Sequence, residues 1–274
     1  MIEEAYTFGR EGCLIGIVTA PNPEELKAEL PAVLLWNAGL LHHIGPHRFY
    51  VVLARRLASK GFTVFRFDVS GRGDSETRKD SRSHKERELD DIFMAMDFMS
   101  ARNGFHEFVL VGLCSGADKV HPAAVLDSRV SGAVLLDAYG YRTWRFYLFH
   151  VARRLFSVRK WKKFFIQIYE KTRDNAPSQE IFPRVFPPKQ DVRAQLMELL
   201  ERGVKLLYIY TGGVQKYYNY REQFEEMLGL RRSDFQDKLQ IEYLKESDHI
   251  YTLLNDRDKA LQIICHWFQL HFRR

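Results

Sequence analysis

The sequence predicts an α/β fold in which helices cover both faces of a mostly parallel central sheet. Short apolar segments of the buried-strand type alternate with segments of helical periodicity, and glycine or proline marks many of the boundaries. Alternation of strands with helices of about 10 to 17 residues is typical of parallel sheets. The interval 138–203 is much longer than a connection between adjacent strands, which indicates an inserted helical lid at 140–195.

The predicted elements follow in order from the N-terminus. Strands are predicted at residues 13–18, 32–36, 62–67, 108–112, 130–136, 204–210 and 239–244. Helices are predicted from Pro46 to just before Gly61 and at residues 86–102, 115–126 and about 256–272. Proline at a helix start and glycine just past its end are preferred positions for these residues. We assign residues 1–139 and 196–274 to the core and 140–195 to the lid.

Composition excludes several classes of protein. The chain has 274 residues, of which 46% are hydrophobic and 28% charged, so it is neither disordered nor collagen-like. Cys13, Cys114 and Cys265 are an odd number with no close spacing, which predicts free thiols in a reducing compartment. The acidic N-terminus has no secretion-signal pattern, and no apolar run is long enough to span a membrane. We therefore expect a cytoplasmic protein without a transmembrane segment.

Much of the positive charge lies in residues 141–173. Ten Lys and Arg and one Glu give this segment a charge of +9, and it also contains ten aromatic residues. Such a mixture can bind nucleic acid, an anionic membrane surface or an anionic substrate. The simpler interpretation is a helical cap whose aromatic side chains pack inward while Lys and Arg extend into solvent. No nucleic-acid-binding module is recognisable, so no nucleic-acid partner is predicted. The candidate substrate-binding residues of the lid are Trp144, Phe149, Arg153 and Trp161.

The most informative motif is Gly112-Leu-Cys-Ser-Gly116, which joins a buried strand to a helix. The pattern G-x-nucleophile-x-G is typical of a sharp strand-to-helix turn that exposes its central side chain. Here that side chain is Cys114, and a helix N-terminus favours its thiolate form. We therefore predict that Cys114 is a nucleophile.

Three alternatives remain open for this turn. Ser115 could be the nucleophile, although that frame places Leu113 where a small residue is required. A dinucleotide-binding turn would have a different glycine spacing and would follow the first strand. Cys114 could also be an inert core thiol, as many lone cysteines are.

The order of motifs resembles that of the α/β-hydrolase superfamily. The resemblance rests on Asn37-Ala-Gly39, Asp68…Gly71-x-Gly73-x-Ser75, the GLCSG turn, Ser-Asp-His249 and the closing helix with Trp267. The stretches AVLLWNAGLLHHIGPHRFYVVLARRLASKGFTVFRFDVSGRGDS and VLVGLCSGA are similar to poorly characterised bacterial α/β-hydrolases, some linked to exosortase systems, and to serine-aminopeptidase-like lidded hydrolases. Dienelactone hydrolases and some thioesterases also have a cysteine at this turn. One fold hosts many chemistries, so the resemblance implies the fold better than the substrate.

His249 is the predicted general base. It lies in the loop KESDHIYT between the last strand and the last helix, where the resemblance places this residue. His42, His43 and His47 form H-H-x-x-x-H, but no helical Glu accompanies them and Gly45-Pro46 intervenes. We interpret them as part of a loop beside the oxyanion hole, and predict neither a metal nor a cofactor.

The acid departs from the pattern of most superfamily members, which carry Asp after the penultimate strand. No carboxylate occurs between Val204 and Arg221. Asp137 ends the preceding strand, a position used by some α/β-hydrolases, including a subset of haloalkane dehalogenases, and it keeps the chain order nucleophile, acid, histidine. Glu222, or a dyad without an acid, is the alternative. Asp137 could equally cap a turn or pair with Arg142.

Together these residues predict an acyl-transfer site. The oxyanion hole would combine the backbone N–H of Ser115 with that of Leu40 or Gly39. The predicted reaction is hydrolysis of an ester or thioester through an acyl-Cys114 intermediate, on a small molecule or on an anionic carrier such as coenzyme A or an acyl carrier protein. The alternatives are an acyltransferase and a catalytically silent binding module whose basic lid docks on a partner.

Overall fold

The computed structural model describes residues 1–24, 29–155, 184–231, 235 and 237–272. Its strands are β1 (Ile2–Phe8), β2 (Leu14–Ala20), β3 (Ala32–Trp36), β4 (Val64–Phe67), β5 (Phe108–Leu113), β6 (Val130–Leu136), β7 (Lys205–Thr211) and β8 (Leu239–Leu244). Its α-helices are α1 (Phe49–Ala58), α2 (His84–Asn103), α3 (Ala117–Leu126), α4 (Trp144–Leu155), α5 (Lys189–Glu201), α6 (Gln223–Leu228) and α7 (Leu254–Phe272).

The eight strands form one sheet in the order β1-β2-β4-β3-β5-β6-β7-β8. Strand β2 pairs antiparallel with β1 and β4, and the five pairs from β4 to β8 are parallel. The predicted fold class is therefore confirmed. None of the described helices is long and apolar enough to cross a membrane.

Each face of the sheet carries its own hydrophobic core. Successive residues of a strand point to opposite faces, so Leu34 joins one core and Leu35 the other. The core containing Leu34 also contains buried residues of α2, α3, α5 and α6, whereas the other is closed by α1 and α7. All residues of β3 and β5 are buried, which explains their continuous apolar sequences.

The parallel register brings several strand ends to one edge of the sheet. Leu113 at the end of β5 pairs with Leu136 at the end of β6, and Leu136 pairs with Ile209 of β7. Thr211, which ends β7, pairs with Leu244, which ends β8. The segments that follow these strands therefore meet at the carboxyl edge, where open α/β sheets bind their ligands.

The structure differs from the predicted elements mainly at the N-terminus. Strand β1 was not predicted, because it is an edge strand of which only Phe8 is buried and its charged residues obscure the apolar pattern. Helix α2 begins at His84 rather than 86, since the Ser83 side chain accepts a hydrogen bond from Glu86 N–H and Glu86 accepts one from Ser83 N–H. Helix α5 runs across the predicted lid boundary at 195, and its buried residues belong to the core.

Candidate active site

Cys114 occupies a tight turn that requires glycine at positions 112 and 116. Its φ is +56°, a left-handed conformation that is uncommon outside glycine. A Cβ atom at Gly112 would lie 2.6 Å from Ala117 N, and one at Gly116 would lie 2.7 Å from Asn37 O, both far inside van der Waals contact. The glycines are therefore required by close backbone approach. Of the residues in this motif, Cys114 rather than Ser115 has the strained conformation of the exposed central position.

His249 and Asp137, predicted from distant parts of the sequence, are in contact. Nδ1 of His249 lies 2.6 Å from Oδ2 of Asp137, whose side chain is fully buried. Thr211 donates to the same carboxylate from its backbone N–H and from its hydroxyl, each at 2.7 Å. Arg142, the alternative partner of Asp137, instead donates to the Lys216 carbonyl at 2.9 Å. The geometry thus meets the requirement of the triad hypothesis, and the catalytic role of Asp137 stays a prediction.

Close packing excludes a side chain at Gly213, in the loop after β7. A Cβ atom at Gly213 would lie 2.3 Å from His249 N and 2.7 Å from His249 Cβ, so a longer side chain has no space there. Glu222, the alternative acid, directly precedes α6. It lines a cavity of about 720 Å³ along the β8 edge, away from Cys114 and His249. That cavity contains none of Cys114, His249 and Asp137, so the candidate site is the region around Cys114.

The environment of Cys114 favours an ion pair with His249. Burial raises the pKa of the Cys114 thiol, but the His249 hydrogen bond, the Arg184 charge and the Ser115 N–H outweigh it and lower the pKa. Burial likewise opposes protonation of His249, yet Asp137 and Cys114 raise the pKa of this imidazole to about 10. A thiolate beside an imidazolium is the reactive form of a cysteine nucleophile. By contrast, burial raises the pKa of both Cys13 and Cys265.

The loop after β3 brings one predicted oxyanion donor, Gly39, against Ser115, the residue that follows Cys114. The Gly39 N–H donates to Ser115 Oγ at 2.8 Å, so this amide is already engaged in the free protein. The hydrogen bond also gives the Ser115 hydroxyl a structural partner. Of the predicted donors, the amides of Ser115 and Leu40 are the pair that we retain for the oxyanion-hole hypothesis.

A buried carboxylate supports the same loop. Asp68, at the end of β4, accepts hydrogen bonds from His43 N–H at 2.7 Å, His43 Nδ1 at 2.6 Å, Asn37 Nδ2 at 2.5 Å and Asp74 N–H at 3.1 Å. Burial opposes ionisation, but these bonds lower the pKa of Asp68. Potential ligand atoms of His42, His43, Asp68 and Asp74 lie within 4.8 Å of one another. Asp68 accepts four N–H groups, so hydrogen bonding explains how this carboxylate is held, and the absence of a metal stays a prediction.

A cavity of about 630 Å³ is lined by both Cys114 and His249. Its other described lining residues are Gly140, Tyr141, Arg142, Arg184, Phe186, Gly213, Val214, Lys216 and Tyr217. Three of these are cationic and three aromatic, and none is acidic. Trp144 and Phe149, predicted to bind substrate, are exposed on α4 and are not among these lining residues. The Arg153 side chain and all of Trp161 lie outside the described residues.

Comparison with known proteins agrees with this architecture. The model of the α/β-hydrolase fold family matches residues 31–186, which is more than half of the chain. The chain belongs to the α/β-hydrolase family. Comparison with curated proteins finds no significant match.

Solved structures of other α/β-hydrolases cover nearly the whole chain. An α/β serine hydrolase homologue from Coxiella burnetii is 13% identical, with 97% of each chain covered and a TM-score of 0.60. A lidless α/β serine hydrolase from Xanthomonas campestris is 15% identical, covering 99% of this chain and 96% of its own, with a TM-score of 0.59. Naproxen esterase from Bacillus subtilis is 16% identical, covering 97% and 91%, with a TM-score of 0.55. At these identities the likeness establishes the fold.

Three residues of this hydrolase-fold site were not predicted from the sequence. Thr211 binds the Asp137 carboxylate, whereas Arg184 and Tyr217 line the cavity beside Cys114. A threonine directly after the apolar run of β7 is a weak signal for a polar group at the carboxyl edge. Arg184 lies outside the basic segment 141–173, and nothing in its local sequence, EIFPRVFPP, marks it as part of a site.

Proposed function

We propose that the protein hydrolyses an ester or thioester through a covalent acyl-Cys114 intermediate. The observation that carries this proposal is the 2.6 Å contact between His249 Nδ1 and the buried Asp137 carboxylate, in a site where Cys114 and His249 line the same cavity. A nucleophile at the Gly112–Gly116 turn (the elbow), a base in the loop before the last helix and an acid that orients the base are the parts of an acyl-transfer triad.

Acylation begins from the thiolate–imidazolium pair. The Cys114 sulfur attacks the carbonyl carbon of the substrate, and the carbonyl oxygen becomes a tetrahedral oxyanion. The backbone N–H groups of Ser115 and Leu40 would stabilise that charge, each such donor being worth about 100- to 1,000-fold in rate. His249 then donates its Nε2 proton to the leaving alcohol or thiol as the carbon–oxygen or carbon–sulfur bond breaks.

Deacylation regenerates the enzyme. The now neutral His249 accepts a proton from water, and the resulting hydroxide attacks the acyl carbon of the thioester. Collapse of the second tetrahedral intermediate releases the carboxylic acid, and the sulfur leaves as a thiolate beside the imidazolium. Asp137 accepts a hydrogen bond from Nδ1 throughout, which holds the imidazole in the tautomer that presents Nε2 to the reaction.

The cavity supports an acyl substrate with a negatively charged part. Tyr141, Phe186 and Tyr217 offer aromatic surface for an acyl group, and Arg142 and Lys216 offer positive charge. We extend the proposal to anionic carriers, namely coenzyme A or an acyl carrier protein, and we assign residues 140–195 as a lid over this substrate. A cytoplasmic location also remains a prediction.

A substrate screen with a matched variant tests the proposed function. The screen includes p-nitrophenyl acetate and butyrate, the corresponding coenzyme A thioesters and the uncharged N-acetylcysteamine thioesters. We expect wild-type protein to hydrolyse at least one class and Cys114→Ala to lose at least about 1,000-fold of that activity, since the covalent route is removed. The melting temperature should change little. Cys13→Ala, which removes a thiol outside the site, is the control.

The outcomes also separate the alternatives. Undiminished hydrolysis by Cys114→Ala would contradict the proposal. Transfer of the acyl group to an added alcohol or amine in preference to water would instead identify an acyltransferase. A binding module without catalysis would leave every substrate intact in both proteins.

A further inference from the structure

Arg184 makes an unusual set of contacts beside the nucleophile. Its Nη2 donates to the carbonyl oxygen of Cys114 at 3.0 Å, and Nη1 donates to the Tyr217 hydroxyl at 2.8 Å. Nε donates to Oδ2 of Asp118 at 2.5 Å, and Nη2 also contacts the other oxygen of this carboxylate. The guanidinium therefore binds a carboxylate with two nitrogens, the geometry in which arginine pairs most strongly.

These contacts join separate elements around the elbow. Cys114 has the strained φ of +56°, and Asp118 lies in the first turn of α3. The Tyr217 hydroxyl, in turn, donates to the backbone carbonyl of Asp137 at 3.3 Å. One side chain thus links the nucleophile, the helix that follows it and, through a tyrosine, the strand end that carries the acid.

We propose that Arg184 is a positioning residue that fixes the Cys114 backbone and holds a permanent positive charge beside the Cys114 sulfur. This proposal deepens the proposed function, because it assumes that Cys114 acts as the nucleophile. Arg184 lines the cavity, but its nitrogens bind Asp118, Tyr217 and the Cys114 carbonyl, so the role proposed here is exerted through Cys114.

The charged and titratable groups around the sulfur come from several elements. His249, in the loop after β8, interacts with both Cys114 and Asp137. A negative charge on Cys114 raises the pKa of Tyr50 in α1 and of Tyr217. Arg184 lowers the pKa of the Cys114 thiol against the effect of burial. Asp118 offsets part of the Arg184 charge, and burial raises the pKa of this carboxyl although Arg184 opposes that change.

Because Arg184 and Asp118 carry opposite charges, neutralising each of them should shift the pKa of the Cys114 thiol in opposite directions. Arg184→Gln removes the cation and should raise the pKa of the Cys114 thiol by about one, so that about tenfold less thiolate exists on the acidic side of the transition. Arg184→Lys should have a smaller effect, since the positive charge remains while the contact of two nitrogens with the Asp118 carboxylate is lost. Asp118→Asn leaves the cation without its counter-charge and should lower the same pKa.

The pH dependence of Cys114 alkylation by iodoacetamide measures these changes in the full-length protein without any substrate. Mass spectrometry assigns the label to Cys114, and a melting curve accompanies each variant. Arg202→Gln is the matched control, because Arg202 donates to the carbonyls of Ala124, Val125 and Asp127 at the far end of α3. We expect this variant to lose stability without moving the alkylation profile.

Two results would overturn the proposal. One is an unchanged profile in Arg184→Gln, and the other is a shift of Arg184→Gln and Asp118→Asn in the same direction, as expected of a purely structural clamp. Either result would leave the proposed function standing if Cys114→Ala is inactive. If Cys114→Ala keeps its activity while the two profiles shift in opposite directions, the proposed function fails and only the effect of the Arg184 charge on the Cys114 thiol is retained.

Discussion

The proposed nucleophile and the proposed acid of this site are held in place by different means. Cys114 is positioned by its own backbone, because flanking glycines allow a turn that other residues cannot make. Asp137 also has a positive φ, of +50°, but its carboxylate is positioned by hydrogen bonds from Thr211 on a neighbouring strand and from His249. The elbow therefore tolerates a change of its central side chain, whereas the acid position depends on groups far away in the sequence.

This difference separates effects on rate from effects on stability. Shortening Cys114 removes a half-buried thiol and leaves the backbone turn in place. Altering the neighbours of Asp137 leaves a fully buried carboxylate short of donors, which costs free energy of folding as well as activity. Three predictions at the Asp137 position, to be compared with Cys114→Ala, test this difference.

The largest effect on the acid side is expected for Asp137→Asn. An amide can donate a hydrogen bond to Nδ1 and favour the wrong tautomer of His249, so kcat should fall by roughly 10- to 10,000-fold. The melting temperature should change little, because the two side chains have nearly the same shape. Steady-state kinetics and a thermal melt on the same preparation check both points.

The opposite pattern would remove Asp137 from the mechanism. If Asp137→Asn lost about 1 kcal/mol of stability and kept its kcat, the carboxylate would be a strand-end cap. Glu222→Gln is the appropriate control, since this carboxylate lies in the cavity along the β8 edge and its replacement should leave kcat unchanged.

A smaller effect is expected for Thr211→Val, which removes the hydroxyl that donates to Asp137 and keeps the shape of the side chain. The free energy of unfolding should fall by about 1–3 kcal/mol, because a buried carboxylate loses a donor. Activity should fall by roughly tenfold as the orientation of His249 loosens. Thr19→Val is the matched control: Thr19 is a buried threonine that donates to Glu3 at 3.1 Å in the β1–β2 pair. It should affect stability alone, and equal activity losses in the two variants would contradict the role of Thr211.

The smallest predicted change is a displacement of the pH profile. In the wild type, kcat/KM should rise as Cys114 ionises at its lowered pKa and should fall near pH 10, where His249 loses its proton. In Asp137→Asn, the falling limb should move to lower pH, since the carboxylate no longer helps His249 to hold its proton. The rising limb should move to higher pH because the thiolate is less well paired. A profile of unchanged width would show that Asp137 does not act on His249.

The sheet and most of its helices could be predicted from the sequence because their signals are local. A buried strand such as β5 is apolar throughout, and the Gly112–Gly116 turn needs small residues at fixed spacing. Edge strand β1 has no comparable signal, because it becomes a strand only by pairing with β2. The His249 position could be predicted because the chain order of the superfamily places it in the loop before the last helix.

The rest of the site depends on contacts that no local pattern encodes. Thr211 and Asp137 lie 74 residues apart, and Arg184 and Cys114 lie 70 apart. Such pairs are brought together only when the sheet is assembled. The lack of an acid after β7 was visible in the sequence, but the close approach of Gly213 to His249, which excludes a side chain at that position, required the structure.

The identity of the acylated atom tests the central claim most directly. Wild-type protein would be mixed with p-nitrophenyl acetate, quenched in acid during the first turnover and digested, and peptide fragmentation would distinguish Cys114 from the adjacent Ser115. We predict that the acetyl group is found on Cys114 and that neutral hydroxylamine removes it rapidly, as expected of a thioester. An acetyl group on Ser115, or turnover in which no acyl-protein forms, would contradict the account.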